Sequence, residues 1–139
     1  MARLAHIFTS PEKGAGRMDR RERVRILEGH GLEGCAHGGR SRKRQVLLAS
    51  ADHLRSVRVE PGAVRENLTV EGADVQAWPV GSCVRVGDAE LELTEVCEPC
   101  HKMDELRPGL RAEIDGKRGM LARVVRGGDV RVGDDIQLL

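Results

Sequence analysis

Cys97-Glu-Pro-Cys100-His101-Lys102 is where this chain concentrates reactive side chains. A Cys-x-x-Cys pair is open to several chemistries. A zinc site needs four ligands; His101 and His37 could complete one, but the sequence has no second closely spaced ligand pair. A dithiol redox pair usually sits in a βαβ setting, and this chain reads as mainly strands. A single reactive thiolate at Cys100 is the third reading. Pro99 precedes a predicted helix start, and His101 and Lys102 follow it. A helix N-terminus and nearby cations favour the ionised thiol, which can ligate a soft metal or carry sulfur. A cysteine that is merely buried and structural stands beside all of these.

The stretch Gly62-Ala-Val-Arg-Glu-Asn-Leu-Thr-Val-Glu-Gly72 offers a second set of groups. Read as a strand between glycines, it puts Arg65, Asn67 and Thr69 on one face, because side chains alternate. Val64, Glu66, Leu68 and Val70 fall on the other. Such a polar row suits an ordinary half-solvated strand, or one wall of a pocket for an anionic cofactor. The loop Gly31-Leu-Glu-Gly-Cys-Ala-His-Gly-Gly-Arg40 presents His37 among glycines, which permit close approach of backbone to ligand. The run Arg40-Ser-Arg-Lys-Arg44 is either a solvated face or a phosphate cradle, since Arg and Lys complement phosphate oxygens.

The elements that must position these groups are short. Leu4 to Thr9, Arg23 to Glu28, Gln45 to Ala49 and Met120 to Arg126 read as strands. Ser10 to Asp19, with Pro11, Gly14 and Gly16, reads as a loop, as does Gly29 to Gly39. Ser50 can cap a helix running to about Val57. Pro99 to Leu106 fits one short helix. Val84-Arg-Val-Gly-Asp88 recurs as Val130-Arg-Val-Gly-Asp134, which predicts two hairpins, each turning at Gly-Asp. Short strands at regular spacing, with few helices, argue for a β-barrel or sandwich.

Composition narrows the class. A chain of 139 residues is expected to form one domain, spanning 1–139, with a single core. Apolar residues make up 40% and never run long enough for a membrane-spanning helix. Met-Ala-Arg-Leu-Ala-His-Ile-Phe is too short and mixed for a signal peptide, so the four cysteines are expected reduced, in the cytoplasm. With 23 basic and 22 acidic residues the net charge is +1, giving no general attraction to nucleic acid or membrane. Phe8 and Trp78 are the only aromatic residues, too few to stack bases.

Four segments together resemble the MOSC domain family, named after the C-terminal domain of molybdenum cofactor sulfurases. They are Gly31-Leu-Glu-Gly34 with His37 and then Arg44-Gln-Val-Leu47; Arg65-Glu-Asn-Leu-Thr69; Pro99-Cys100; and Gly119-Met-Leu-Ala-Arg123 through Gly127-Gly128 to Val132-Gly-Asp134. They span nearly the whole chain in the family's order. The resemblance implies a closed, mainly β barrel with a few short helices. It also implies a role in handling a pyranopterin molybdenum cofactor or its sulfur. One departure stands out: the family usually has aspartate directly after the second glycine of the loop, where this chain has Cys35.

Carried over residue by residue, the resemblance implies that Cys100 is the sulfur carrier or molybdenum ligand. Arg65, Asn67 and Thr69 are then the polar wall of the pocket. His37, Lys102 and Arg123 are candidates for contacts to oxo or phosphate oxygens. Small free-standing members look like sulfur carriers or molybdenum-dependent reductases of N-hydroxylated compounds. The partner would be a protein that donates or accepts cofactor or sulfur, or an electron donor. No pyridoxal-phosphate domain lies within these residues, so desulfuration of free cysteine is not expected. A non-catalytic cofactor- or sulfur-delivery module, and a thiol-redox or zinc protein built on Cys97 and Cys100, remain the rival readings.

Overall fold

A ring of seven strands closes into a barrel in the computed structural model, which describes residues 2–14 and 16–139. Met1 and Ala15, the latter inside the loop expected over 10–19, lie outside the described residues. The ring runs β1 (Ala2–Thr9), β6 (Leu68–Glu71), β5 (Val46–Ser50), β9 (Met120–Arg126), β8 (Ala89–Val96), β7 (Cys83–Val86) and β11 (Asp135–Leu138), which returns to β1. Every pairing in it is antiparallel except β5–β6. β2 (Asp19–Arg21) extends β1, while β3 (Arg23–Leu27), β4 (Gly31–Leu32) and β10 (Gly128–Arg131) form a separate sheet.

Alternation builds the barrel. Along β8, Ala89, Leu91 and Leu93 are buried while Glu90 and Glu92 are partly exposed. They pack with Val84, Val86, Leu4, Leu68 and Ile136 in the interior. β5 is different: all five of its residues are buried, because both of its faces are covered. Val46 and Leu48 face the barrel core. Ala49 faces an outer cluster with Leu54, Val64, Met103, Leu110 and Ile114. Leu47 meets Cys97 and Leu121. A parallel β5–β6 pair requires a crossover, supplied by α1 (Ala51–Ser56) and the turns after it. Two more helices, α2 (His101–Leu106) and α3 (Leu110–Glu113), pack onto this crossover through Met103 and Leu110. The crossover and α2 therefore meet at one edge of the barrel.

Three sequence expectations need correction. The segment 62–72 is not one strand; only Leu68–Glu71 is, and Arg65 sits at φ 66, in the left-handed region. A turn held by the buried Glu66 carboxylate replaces the first half, so Arg65, Asn67 and Thr69 do not share a strand face. The second Gly-Asp motif makes no hairpin: β10 pairs with β3, and β11 with β7 and β1. Its turn is instead tied to β1, with Leu4 N–H donating to Asp134 O and Gly133 N–H to Leu4 O. Ser50 precedes α1 without capping it through its side chain. Its hydroxyl donates to Ala73 O at 3.0 Å and accepts Val75 N–H at 2.8 Å, pinning a 3-10 turn over Val75–Ala77. The strands β2 and β4, that 3-10 turn and α3 were not anticipated.

Candidate functional site

At the edge where the crossover meets α2, an open cleft of about 500 Å³ is lined by His37, Arg65, Asn67, Cys97, Cys100, Lys102 and Arg118. Arg40 and Arg44 also line it, and Glu98 is the one acid among its described lining residues. Leu47, Cys97 and Leu121 give it an apolar floor.

The Gly62–Glu66 turn delivers Arg65. Arg65 N–H donates to Gly62 O, and the Glu66 carboxylate closes the turn from inside. Its Oε2 accepts Gly62 N–H and the Thr69 hydroxyl, each at 2.9 Å. Burial pushes the Glu66 carboxyl up, against the pull of these donors and of the Arg118 charge. A non-glycine residue at positive φ costs on the order of 1 kcal/mol, so the turn holds Arg65 in place at the expense of its backbone. The Arg65 Nη2 reaches Ser10 Oγ at 3.1 Å and His37 Nε2 at 3.1 Å. A guanidinium only donates, so Nε2 accepts and the neutral His37 carries its proton on Nδ1. Burial lowers the His37 pKa, and the charges of Arg65, Arg40 and Lys102 lower it further.

Asn67 lines the cleft, yet its amide is committed to the fold. Its Oδ1 accepts Leu47 N–H at 3.0 Å, and its Nδ2 donates to Phe8 O at 3.2 Å and to Cys35 Sγ at 3.5 Å. It therefore ties β1, β5 and the glycine loop together. Cys35 is buried, and its sulfur also accepts Ser10 N–H at 3.3 Å. Cys35 thus provides an acceptor for two N–H donors at the position where the family's aspartate is usual.

Cys100 lines the cleft in half-buried surroundings, immediately before α2. Lys102 is exposed on the first turn of that helix. Cys97 is only 7% exposed. Burial pushes its thiol up, with the charges of Arg118 and Arg44 pulling the other way. All four cysteines are free thiols. Among the described residues no three His, Cys, Asp or Glu side chains cluster as a metal site. Thr69 and Arg123 are not brought to the cleft. Thr69 is fully buried with its hydroxyl on Glu66. Arg123 lies on a different groove beside Arg42 and Lys43, with its Nε 2.6 Å from Glu92 Oε1.

Two residues here were missed in the sequence. Gln45 locks the basic loop onto the barrel, its Nε2 donating to Ser41 O at 3.0 Å and its Oε1 accepting Val124 N–H at 2.8 Å. Arg118 adjoins the strand expected over 120–126 and carries no motif of its own in the sequence, but it is 8% exposed. The signal lay in the following Gly119: at φ 121, a Cβ there would stand 2.3 Å from Leu48 O. Only glycine lets the chain approach β5 so closely, and that approach carries Arg118 inward.

Comparison with known proteins agrees with this architecture. The MOSC domain family profile matches residues 33–137. The YuaD protein from Bacillus subtilis is similar in structure with a TM-score of 0.83 and 20% identity, covering 98% of this chain and 94% of that one. YiiM from Geobacillus stearothermophilus gives a TM-score of 0.80 at 17% identity, covering 100% and 75%. YiiM from Escherichia coli gives 0.73 at 21%, covering 99% and 69%. No curated protein matches the chain in sequence. No helix is long and apolar enough to cross a membrane among the described residues. The chain belongs to the MOSC domain family, which is associated with molybdenum cofactor sulfurase-type proteins.

Proposed function

We propose that the cleft receives a pyranopterin molybdenum cofactor, and that the protein acts as a sulfur carrier or as a reductase of N-hydroxylated compounds, with Cys100 as its working thiol. One observation carries this reading: five cations, Arg40, Arg44, Arg65, Lys102 and Arg118, converge on a cleft that also holds a half-exposed cysteine. Cations match phosphate oxygens, and a cysteine sulfur matches a soft metal. The fit extends to a polar atom: the buried Arg118 has N–H groups without a partner, as expected where an anionic ligand completes the site.

Each residue then has a task. Arg65 is held rigid for an anionic group by its turn and by His37. Lys102 and Arg40, at the exposed mouth, attract the anion, beside Arg44, whose Nε lies 3.3 Å from Glu95 Oε1. Cys100 offers sulfur. Leu47, Leu121 and Cys97 exclude water from the floor. When bound, the cofactor would supply the molybdenum centre on which redox or sulfur chemistry depends. Delivery of cofactor or sulfur to a partner protein would use the same surface, and a reductase would need an electron-donor protein there. Thr69 and Arg123 have no place in this scheme.

Elemental analysis tests it. Protein made in a host that synthesises the cofactor should carry stoichiometric molybdenum. Zinc in place of molybdenum would support the rival built on Cys97 and Cys100, and no metal with no bound persulfide would sink the proposal.

A further inference from the structure

We propose that Arg118 is a ligand-binding residue, the innermost oxyanion contact of the cleft, taking a phosphate-like or molybdate-like group on the cysteine side. Arg118 is 8% exposed, and neither its Nε nor its Nη1 makes a hydrogen bond. An unpaired buried cation is among the most unfavourable groups a fold can hold. The surroundings leave little room to escape that cost. Lys117 N–H donates to Ile114 O, and Gly119 N–H donates to Gln76 Oε1 at 2.6 Å. Gly119 O accepts Cys97 N–H at 3.0 Å. The backbone is thus tied on both sides of Arg118, which fixes where its side chain departs from the chain.

Among the described residues no acid forms an ion pair with it. Glu66 is the acid that its charge reaches, but the two form no ion pair, and Glu66 Oε1 is itself buried without a hydrogen bond. Burial favours the neutral form of that carboxyl. Arg118 instead lines the cleft together with Cys97 and Cys100. A guanidinium has only donors and suits the several acceptors of a tetrahedral oxyanion. The residues Arg65 and Lys102 add charge of the same sign around that position, which favours a dianion over a neutral ligand.

The inference shares the cleft with the reading above but does not need molybdenum, and the experiment separates the two. Protein purified without cofactor is titrated calorimetrically with inorganic phosphate and with molybdate at constant ionic strength. Wild type should bind at least one of them. Arg118→Met should weaken that binding by roughly 10- to 100-fold, the range for a hydrogen bond to a charged group, and Arg118→Lys by less. Preference for phosphate assigns the residue to a phosphate end of the ligand, and preference for molybdate to a metal-oxo end. In thermal melts without anion, Arg118→Met should be as stable as wild type or more so, since an unpartnered cation is exchanged for an apolar side chain. If Arg118→Met does not fold, Arg118→Lys carries the titration, and unchanged affinity there with a collapsed melt for the methionine variant makes Arg118 structural. Wild type that binds neither anion, or Arg118→Met that binds as wild type does, overturns the proposal. Anion binding lost in Arg118→Met, in protein that never acquires molybdenum, would leave this inference standing and remove the molybdenum reading alone.

Discussion

Nη2 of Arg65 lies 3.1 Å from Nε2 of His37. The contact joins two segments distant in sequence, the glycine loop and the crossover turn, and it works only while the imidazole is neutral. Protonation would set a cation against Arg65, with Arg40 and Lys102 nearby. The contact therefore makes the geometry of the cleft sensitive to pH.

The sign follows from linkage. The His37 pKa is lowered in the fold from its usual 6.5, so the unfolded chain takes up protons first as pH falls. The fold is unpenalised above about 6.5 and loses stability progressively as pH drops from there towards the folded pKa. His6 acts in the same direction, lowered by burial and by Arg20. Glu66, raised from 4.5, acts oppositely, but it is common to both proteins compared. We expect His37→Gln to lose less stability than wild type between about pH 7.5 and about pH 5.5. Chemical denaturation across that range measures it, and parallel losses would show that His37 is not the titrating group.

Asn67→Ala should destabilise the protein by about 3 kcal/mol, because it leaves Leu47 N–H and Phe8 O buried without their partner and removes a contact to Cys35. Asn67→Asp restores the acceptor but not the donor and should recover only part. Urea unfolding would measure both. A loss within experimental error would mean that Asn67 serves a ligand and not the fold.

Cys100→Ser should abolish binding of molybdenum and of persulfide sulfur while leaving the melt nearly unchanged. Serine is close in volume to cysteine, but its oxygen is a hard, weakly acidic ligand. Cys97→Ser should behave in the opposite way, losing stability in the buried cluster with Leu47 and Leu121 and keeping the metal. Elemental analysis, persulfide assay and thermal melts of both variants decide between them. A collapsed melt for Cys100→Ser would mark Cys100 as structural.

Arg123→Ala should leave anion binding and bound metal as in wild type. Its guanidinium is occupied by Glu92 on a separate groove, and a part-exposed pair of this kind contributes little to stability. The same calorimetric titration checks it; weakened anion binding would return Arg123 to the site.

Much of the barrel is legible in the sequence. Ala89, Leu91 and Leu93 alternate with Glu90 and Glu92, and the structure makes that stretch the second arm of the hairpin predicted at Gly87-Asp88, with the aliphatic residues inward. The strands around Ile7, Ile26, Leu48 and Val124, and the helix after Cys100, also lie where pattern and punctuation put them. Failure came where a local pattern has two tertiary outcomes. Val-Arg-Val-Gly-Asp turns a hairpin at Gly87-Asp88, but at Gly133-Asp134 it passes the chain from one sheet to another. The residues are identical; the strands available to pair with are not.

By itself, the sequence determined which chemistries were at hand: a thiol at Cys100, a basic loop, a histidine among glycines, and a core of alternating aliphatic residues. Only the tertiary structure decided which of them meet. It brought Arg65 to His37, committed the amide of Asn67 to the fold and sent Arg123 elsewhere. It also turned Arg118 from a charge flanking a strand into a buried cation with unpartnered N–H groups. The physical reason is that desolvation and hydrogen-bond satisfaction belong to a side chain's surroundings, and long-range pairing supplies those surroundings.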